Sequence, residues 1–271
     1  PFKTRIREDC RQDDAFLEFP LLGSAMDGLG RYRDKEIANG RGRANPWEIA
    51  GTGNYMNRAS MKLSEVEASL NADQLSLIDC PSEKGKPFCF VDLCCGAGGF
   101  TEFVQLLVAN KKQVSKAIGS TLVEEHASMQ CKPERFHPRA HPALFHVVHG
   151  PAGGNLCDPA TIDALAQVAE RLEGVQLVVA DGGIGTGRGE NQEVSSRQLL
   201  LAQLAAGLKM LRTGGNLVVK CFGLQTTFSA SLVYYIQSAF ERLAVFKPMC
   251  SRPANAERYI ICMHKIHKDH T

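Results

Sequence analysis

The chain lacks any apolar run long enough to cross a bilayer as a helix, which argues against a helical membrane protein. Its first residues, PFKTRIREDCRQDD, lack the charged, apolar and small-residue succession of a secretory signal. The chain starts at Pro1 rather than at Met, which is compatible with a further targeting segment upstream. The 10 cysteines include no CxxC pair. Cys94 and Cys95 are adjacent, and most others lie in apolar runs such as KPFCFV, VVKCFG and YIICMH. That spacing suits neither a disulfide framework nor a zinc site, and buried free thiols behave as small hydrophobes, so a reducing compartment is expected. An excess of charge of one sign is also missing: the net charge is +2, which neither demands nor forbids nucleic acid. Internal repeats are absent.

What is present is an ordinary globular composition, 44% apolar and 22% charged, over 271 residues. That is enough for one large α/β domain with a substantial core. Residues 1–45 mix charge, glycine and short apolar pieces and read as an N-terminal extension or lid. Arg31, Arg33, Lys35, Arg41 and Arg43 crowd this segment, either as a solvated loop face or as a phosphate-contacting arm. From Asn57, NRASMKLSEVEASL has helical periodicity. A turn cluster at 81–87 precedes the strand FCFVDL, a glycine turn and the helix TEFVQLLVAN. KAIGSTLV reads as a second strand. Residues 124–154 break the alternation, with five histidines, Cys131 and four prolines, and read as an insert whose irregular spacing does not suit zinc. The helix PATIDALAQVAERL, the strand VQLVVADGG and a long helix SSRQLLLAQLAAGLKMLRTGG follow, with Gly214 and Gly215 expected to stop that helix. NLVVKCFG, the helix FSASLVYYIQSAF and the strands RLAVFKP and RYIICMHK complete the chain. Alternating strands and helices imply a Rossmann-like, mostly parallel sheet. The two successive strands at the end imply one antiparallel strand, at an edge or an insertion point.

The turn after FCFVDL is Gly96-Ala97-Gly98-Gly99, preceded by Asp92, Leu93, Cys94 and Cys95. A dinucleotide site would show GxGxxG here, and this turn does not, which speaks against a nicotinamide dehydrogenase. The turn suits a cofactor with a carboxylate and an ammonium but no pyrophosphate: backbone can approach closely at the glycines, and Asp92 could accept from the ammonium. That is the logic of an S-adenosylmethionine site. A tight strand-to-helix turn with no ligand explains these residues equally well on their own.

Four charged residues interrupt apolar surroundings: Lys62 in SMKLSE, Asp181 after VQLVVA, Lys220 in LVVK and Glu257 before RYIICM. Each has a plain reading as a surface, capping or ion-pairing group. Asp92, Asp181 and Lys220 all fall at the carboxyl ends of strands, where open α/β sheets place their sites. A Lys-Asp-Lys-Glu set suits methyl transfer to a ribose hydroxyl, because a lysine relieved of its proton can take one from the sugar. That requires an amine pulled well below the ordinary ~10.4. On this reading Lys220 is the general base, Lys62 orients the 2′-oxygen, Asp181 positions lysine and methyl group, and Glu257 holds Lys220 or the ribose.

Taken together, NRASMKL, FVDLCCGAGGFTEFV, VVADGG, QLLLAQLAAGLKMLRTGGNLVVKCF and KPMCSRPANAERYIIC resemble the RrmJ/FtsJ-type ribose 2′-O-methyltransferases. RANPWEIAGTGNYMNRASMK and SRPANAERY are especially similar to the eukaryotic mRNA cap 1 (nucleoside-2′-O-)methyltransferases. The resemblance covers roughly residues 41–265, less the histidine-rich stretch. It implies a class I methyltransferase fold over 46–271, S-adenosylmethionine as donor and S-adenosylhomocysteine as product. It further implies m7G-capped RNA as acceptor, capping or transcription factors as partners, no membrane association and a nuclear location. The family's tetrad falls on Lys62, Asp181, Lys220 and Glu257. Its donor-binding positions fall on Asn57, on Cys95, Gly96, Ala97, Gly98, Gly99 and Phe100, and on Asn155 in place of an aspartate, with Asp158 nearby. Its guanine-reading glutamate falls on Glu190 and its RNA-contacting arginine on Arg41, beside Arg43. Tyr32 and Trp47 are candidates for stacking on the cap. No metal is implied. A catalytically silent RNA-binding subunit, or methylation of another RNA position, are the competing readings.

Overall fold

The strand FCFVDL forms β1 (Phe88–Leu93), and all six of its residues are buried. A strand apolar on both sides needs cover on both sides, and helices supply it. The computed structural model describes residues 45–47, 52–81, 85–123, 130–172, 174–185, 191–253 and 255–266. The described strands are β1, β2 (Ser115–Ser120), β3 (Phe145–Val147), β4 (Val175–Ala180), β5 (Leu211–Phe222), β6 (Phe240–Phe246) and β7 (Glu257–Lys265). They form one sheet in the order β3-β2-β1-β4-β5-β7-β6. The pairs β3–β2, β2–β1, β1–β4 and β4–β5 are parallel. β7 runs antiparallel between β5 and β6. The expected antiparallel strand is thus an inserted one, not an edge.

The helices that lie wholly within the described residues are α1 (Arg58–Ala72), α2 (Gly99–Asn110), α3 (Pro159–Glu170), the short α4 (Gln192–Ser195), α5 (Arg197–Met210) and α6 (Thr227–Gln237). One apolar cluster joins Leu63 and Val66 of α1 and Phe100, Phe103 and Val104 of α2 to Phe90, Leu177, Val218 and Tyr259 of the sheet. The opposite face packs Leu165 of α3, Leu200 and Leu204 of α5 and Ile236 of α6 against Val91, Val178, Val219 and Ile260. α1 starts where Asn57 accepts from the amides of Ala59 and Ser60, at 2.9 and 3.3 Å.

The long helix ends earlier than its glycines suggest. α5 stops at Met210, Leu211 is already extended, and Gly214 and Gly215 lie inside β5. The Lys265 ammonium donates to the carbonyls of Leu208 and Leu211, at 2.7 and 2.6 Å, and so caps the helix from the far end of the chain. The glycines instead serve an irregularity in β5: pairing with β4 jumps from Val175↔Leu211 to Leu177↔Asn216. The insert holds β3, a three-residue strand, and two 3-10 turns, Pro133–Arg135 and Pro142–Leu144. Among the described residues, no group of three His, Cys, Asp or Glu side chains is gathered as a metal site requires.

Candidate active site

Strand order reverses between β1 and β4, since β2 lies on one side of β1 and β4 on the other. The crevice at the carboxyl ends of these strands is where such sheets hold ligands. Asp92 is the last residue but one of β1, Asp181 follows β4, and Lys220 lies near the end of β5, directly opposite Tyr259 of β7. Because β7 is antiparallel, its first residue, Glu257, arrives at the same end of the sheet. α1 lies over this end and contributes Lys62.

The four charged residues assemble as two ion pairs. Lys62 Nζ lies 2.9 Å from Glu257 Oε2 and 2.8 Å from Oε1. Lys220 Nζ lies 3.2 Å from Asp181 Oδ1. Glu257 therefore holds Lys62, and the expectation that it holds Lys220 is corrected: the register puts Tyr259, not Glu257, across from Lys220. Tyr259 donates to Asp181 Oδ1 at 2.7 Å. Burial alone would raise the Asp181 carboxyl, but the Lys220 and Lys62 ammonium groups and the Tyr259 hydroxyl hold it below the usual range. Burial, with Asp181 and Glu257 nearby, pushes the Tyr259 phenol well above its ordinary value, so it remains a donor. Ser251 donates to Glu257 Oε1 at 2.6 Å, and the Lys247 ammonium gathers Asn255 Oδ1 at 2.8 Å and the Asn255 carbonyl at 2.9 Å. Tyr259, Ser251 and Lys247 lie within the motif KPMCSRPANAERYIIC, but the sequence alone assigns them no role. A signal existed for Tyr259: strand periodicity sets it on the face of Glu257, two residues on.

The glycine turn lies beside this cluster. Gly96 and Gly98 have φ of +49° and +97°, a region that favours glycine. A Cβ at Gly96 would meet nothing nearer than the Cys94 carbonyl oxygen at 3.9 Å, so the turn is open there. Asp92 is fully buried; its Oδ2 accepts from Thr101 at 2.6 Å, and its Oδ1 has no hydrogen-bond partner. Burial, against the Thr101 hydrogen bond and with help from Asp181, pushes its carboxyl up to about 7. Phe100 is buried and packs on Tyr259, ring centroids 6.0 Å apart, joining the turn to the ion pairs. The Cys95 side chain is buried, its amide donates to the Ser120 carbonyl at 2.8 Å, and its carbonyl accepts from Gly98 at 2.8 Å. Ala97 is half-buried within the turn. Asn57 packs its side chain on Gly99. Asn155 is exposed, with Oδ1 accepting from Cys157 N at 3.1 Å, while Asp158 caps α3. Trp47 is half-buried, its amide donating to Asn45 Oδ1 at 3.1 Å. Arg41, Arg43, Glu190 and Tyr32 lie outside the described residues.

The sequence profile of FtsJ-like methyltransferases matches residues 55–265, which include every member of the charged cluster and the glycine turn. The chain belongs to the FtsJ-like methyltransferase family. It is 35% identical over 272 residues to the Xenopus laevis cap-specific mRNA (nucleoside-2′-O-)-methyltransferase 1, covering 94% of this chain and 30% of that protein. To the Homo sapiens protein of the same name it is 36% identical over 246 residues, 84% of this chain and 28% of that one. The chain thus spans less than a third of these relatives. A putative ribosomal RNA methyltransferase from Plasmodium falciparum has the same fold, with a TM-score of 0.52 at 16% identity, over 79% of this chain and 100% of that one. The mostly parallel seven-stranded sheet with antiparallel β7 is the form that this FtsJ-like chain takes.

Proposed function

We propose that this FtsJ-like chain methylates the ribose 2′-hydroxyl of the first transcribed nucleotide of m7G-capped RNA, with S-adenosylmethionine as donor. The observation that carries the reading is the meeting of Lys62, Asp181, Lys220 and Glu257 beside an open glycine turn. The relatives named as cap-specific methyltransferases support the choice of acceptor. On that reading the chain works in the nucleus.

The residues present fit the donor. Asp92 Oδ1 is a buried acceptor without a partner, suited to an ammonium, and the turn at Gly96 leaves space for backbone-close contact. Asn57, residues 95–100 and Asn155 complete the candidate donor contacts. When bound, S-adenosylmethionine supplies a methyl group on a positively charged sulfur and leaves as S-adenosylhomocysteine. Lys220 in its amine form takes the 2′-hydroxyl proton onto Nζ as the new oxygen–carbon bond forms. Asp181, fixed by Tyr259, holds the resulting ammonium at the distance seen here. Lys62 donates to the sugar oxygen, and Glu257, held by Ser251, fixes Lys62. Correct placement of the reacting atoms supplies much of the rate. Arg41, Arg43 and Glu190 are the proposed contacts to the cap and RNA chain.

A radiolabel transfer assay with nuclease mapping tests this. Label should appear on the first nucleotide of m7G-capped RNA and not on uncapped RNA of the same sequence. Lys220→Ala should lower transfer by roughly 10²- to 10⁴-fold while S-adenosylhomocysteine still binds. Equal labelling of both RNAs refutes the acceptor, and normal turnover by Lys220→Ala refutes the base.

A further inference from the structure

Glu102 lies in the first turn of α2, buried to 1% exposure. A buried carboxylate persists where its oxygens are satisfied. Oε2 accepts from the Met56 amide at 2.9 Å and from Ser60 Oγ at 3.0 Å. Oε1 accepts from the His137 amide at 2.9 Å. Ser60 Oγ also reaches the Gly99 carbonyl at 2.9 Å. One side chain thus ties three segments: the start of α1 with Asn57, the glycine turn, and the histidine-rich insert. Gln105, one turn further along α2, adds a second tie to the insert by donating to the His141 carbonyl at 2.9 Å.

These ties decide what surrounds the turn. A Cβ at Gly98 would meet Phe136 ring carbons at 2.6 and 2.7 Å and Cys131 Sγ at 2.9 Å, all from the insert. A Cβ at Gly99 would collide with the Asn57 side chain. Gly96 is open by contrast. The turn is walled on two sides by groups that Glu102 anchors and left free on a third.

We propose that Glu102 is a positioning residue for the methyl donor, locking Asn57 and the Cys131–Ala140 part of the insert against the turn so that the insert forms a wall of the donor pocket. This rests on the reading of residues 95–100 as the donor turn. The carboxylate is required because an apolar side chain would leave the half-buried amides of Met56 and His137 without an acceptor. An isosteric amide keeps the volume but presents its own N–H groups to one of the donors, releasing one wall.

The test is calorimetric binding of S-adenosylhomocysteine, with donor and RNA KM measured alongside. Glu102→Gln should raise the Kd for S-adenosylhomocysteine roughly tenfold and raise the donor KM in parallel, with the KM for capped RNA unmoved. A purely structural Glu102 would lower the unfolding temperature and leave the Kd unchanged, and that result overturns the proposal. If circular dichroism shows that Glu102→Gln does not fold, Ser60→Ala serves in its place. It keeps the carboxylate and both amides, and it should raise the Kd roughly threefold; an unchanged Kd again overturns the proposal. Failure of the unaltered chain to bind S-adenosylhomocysteine refutes the donor reading itself, a different outcome from normal binding by the variants.

Discussion

Donor affinity should depend on pH through Asp92. Its carboxyl, pushed up to about 7 by burial and by Asp181, is largely protonated in mildly acidic solution. An ammonium placed against Oδ1 favours the ionised form, so ligand binding must expel the proton wherever it is present. The sign follows: protons compete with the ligand, and affinity rises as pH rises. With a free-state value of about 7, Asp92 is about one-tenth ionised at pH 6 and about nine-tenths ionised at pH 8. Affinity for S-adenosylhomocysteine should therefore increase about tenfold across that window and level off above it. Calorimetry in buffers of different ionisation enthalpy should find about 0.9 proton released per ligand at pH 6 and about 0.1 at pH 8. Asp92→Asn should bind ten- to a hundredfold more weakly at pH 8, roughly the worth of a hydrogen bond to a charged group, and its affinity should be flat in pH. A flat profile for the unaltered protein, or the same slope in Asp92→Asn, would refute the assignment of Asp92 to the donor's ammonium.

Two further outcomes follow from the geometry. Glu257→Ala leaves the Lys62 ammonium largely buried without its partner, and should cost about 3–5 kcal/mol in a denaturant titration as well as activity; a loss under about 1 kcal/mol would mean that the pair is effectively solvated. Gly98→Ala forces a side chain to φ +97° and into Phe136 and Cys131, so it should abolish S-adenosylhomocysteine binding in calorimetry and destabilise the fold by more than about 1 kcal/mol; unchanged binding would show that the insert yields easily.

Strand β1 is legible in the sequence because a short apolar run is bracketed by Pro87 and glycines, and the charged cluster is legible because ionic groups interrupt apolar strand ends. Partners are not legible in the same way. Glu257 goes to Lys62 because β7 inserts antiparallel in a register that sets Tyr259 opposite Lys220, and no local pattern encodes that register. Gly214 and Gly215 resemble a helix stop, yet the capping group is Lys265, some 50 residues later by sequence number and close only in space. Strand β3 is three residues long and too short to show a period. Glu102 reads as an ordinary acid in a helix's first turn; its role depends on amides from two segments that the sequence does not visibly bring together.

Strand β7 is the last strand of the described chain, yet it fills the gap between β5 and β6 and carries both Glu257 and Tyr259. During synthesis the glycine turn is made more than 150 residues before those two side chains exist. Until then Lys62 has no Glu257 to pair with and Asp181 has no Tyr259 hydroxyl to accept from, although Asp181 and Lys220 are already in the chain. On the proposed reading, the charged cluster is complete only once translation has passed Tyr259 and β7 has paired between β5 and β6, which ties chemical readiness to completion of the sheet.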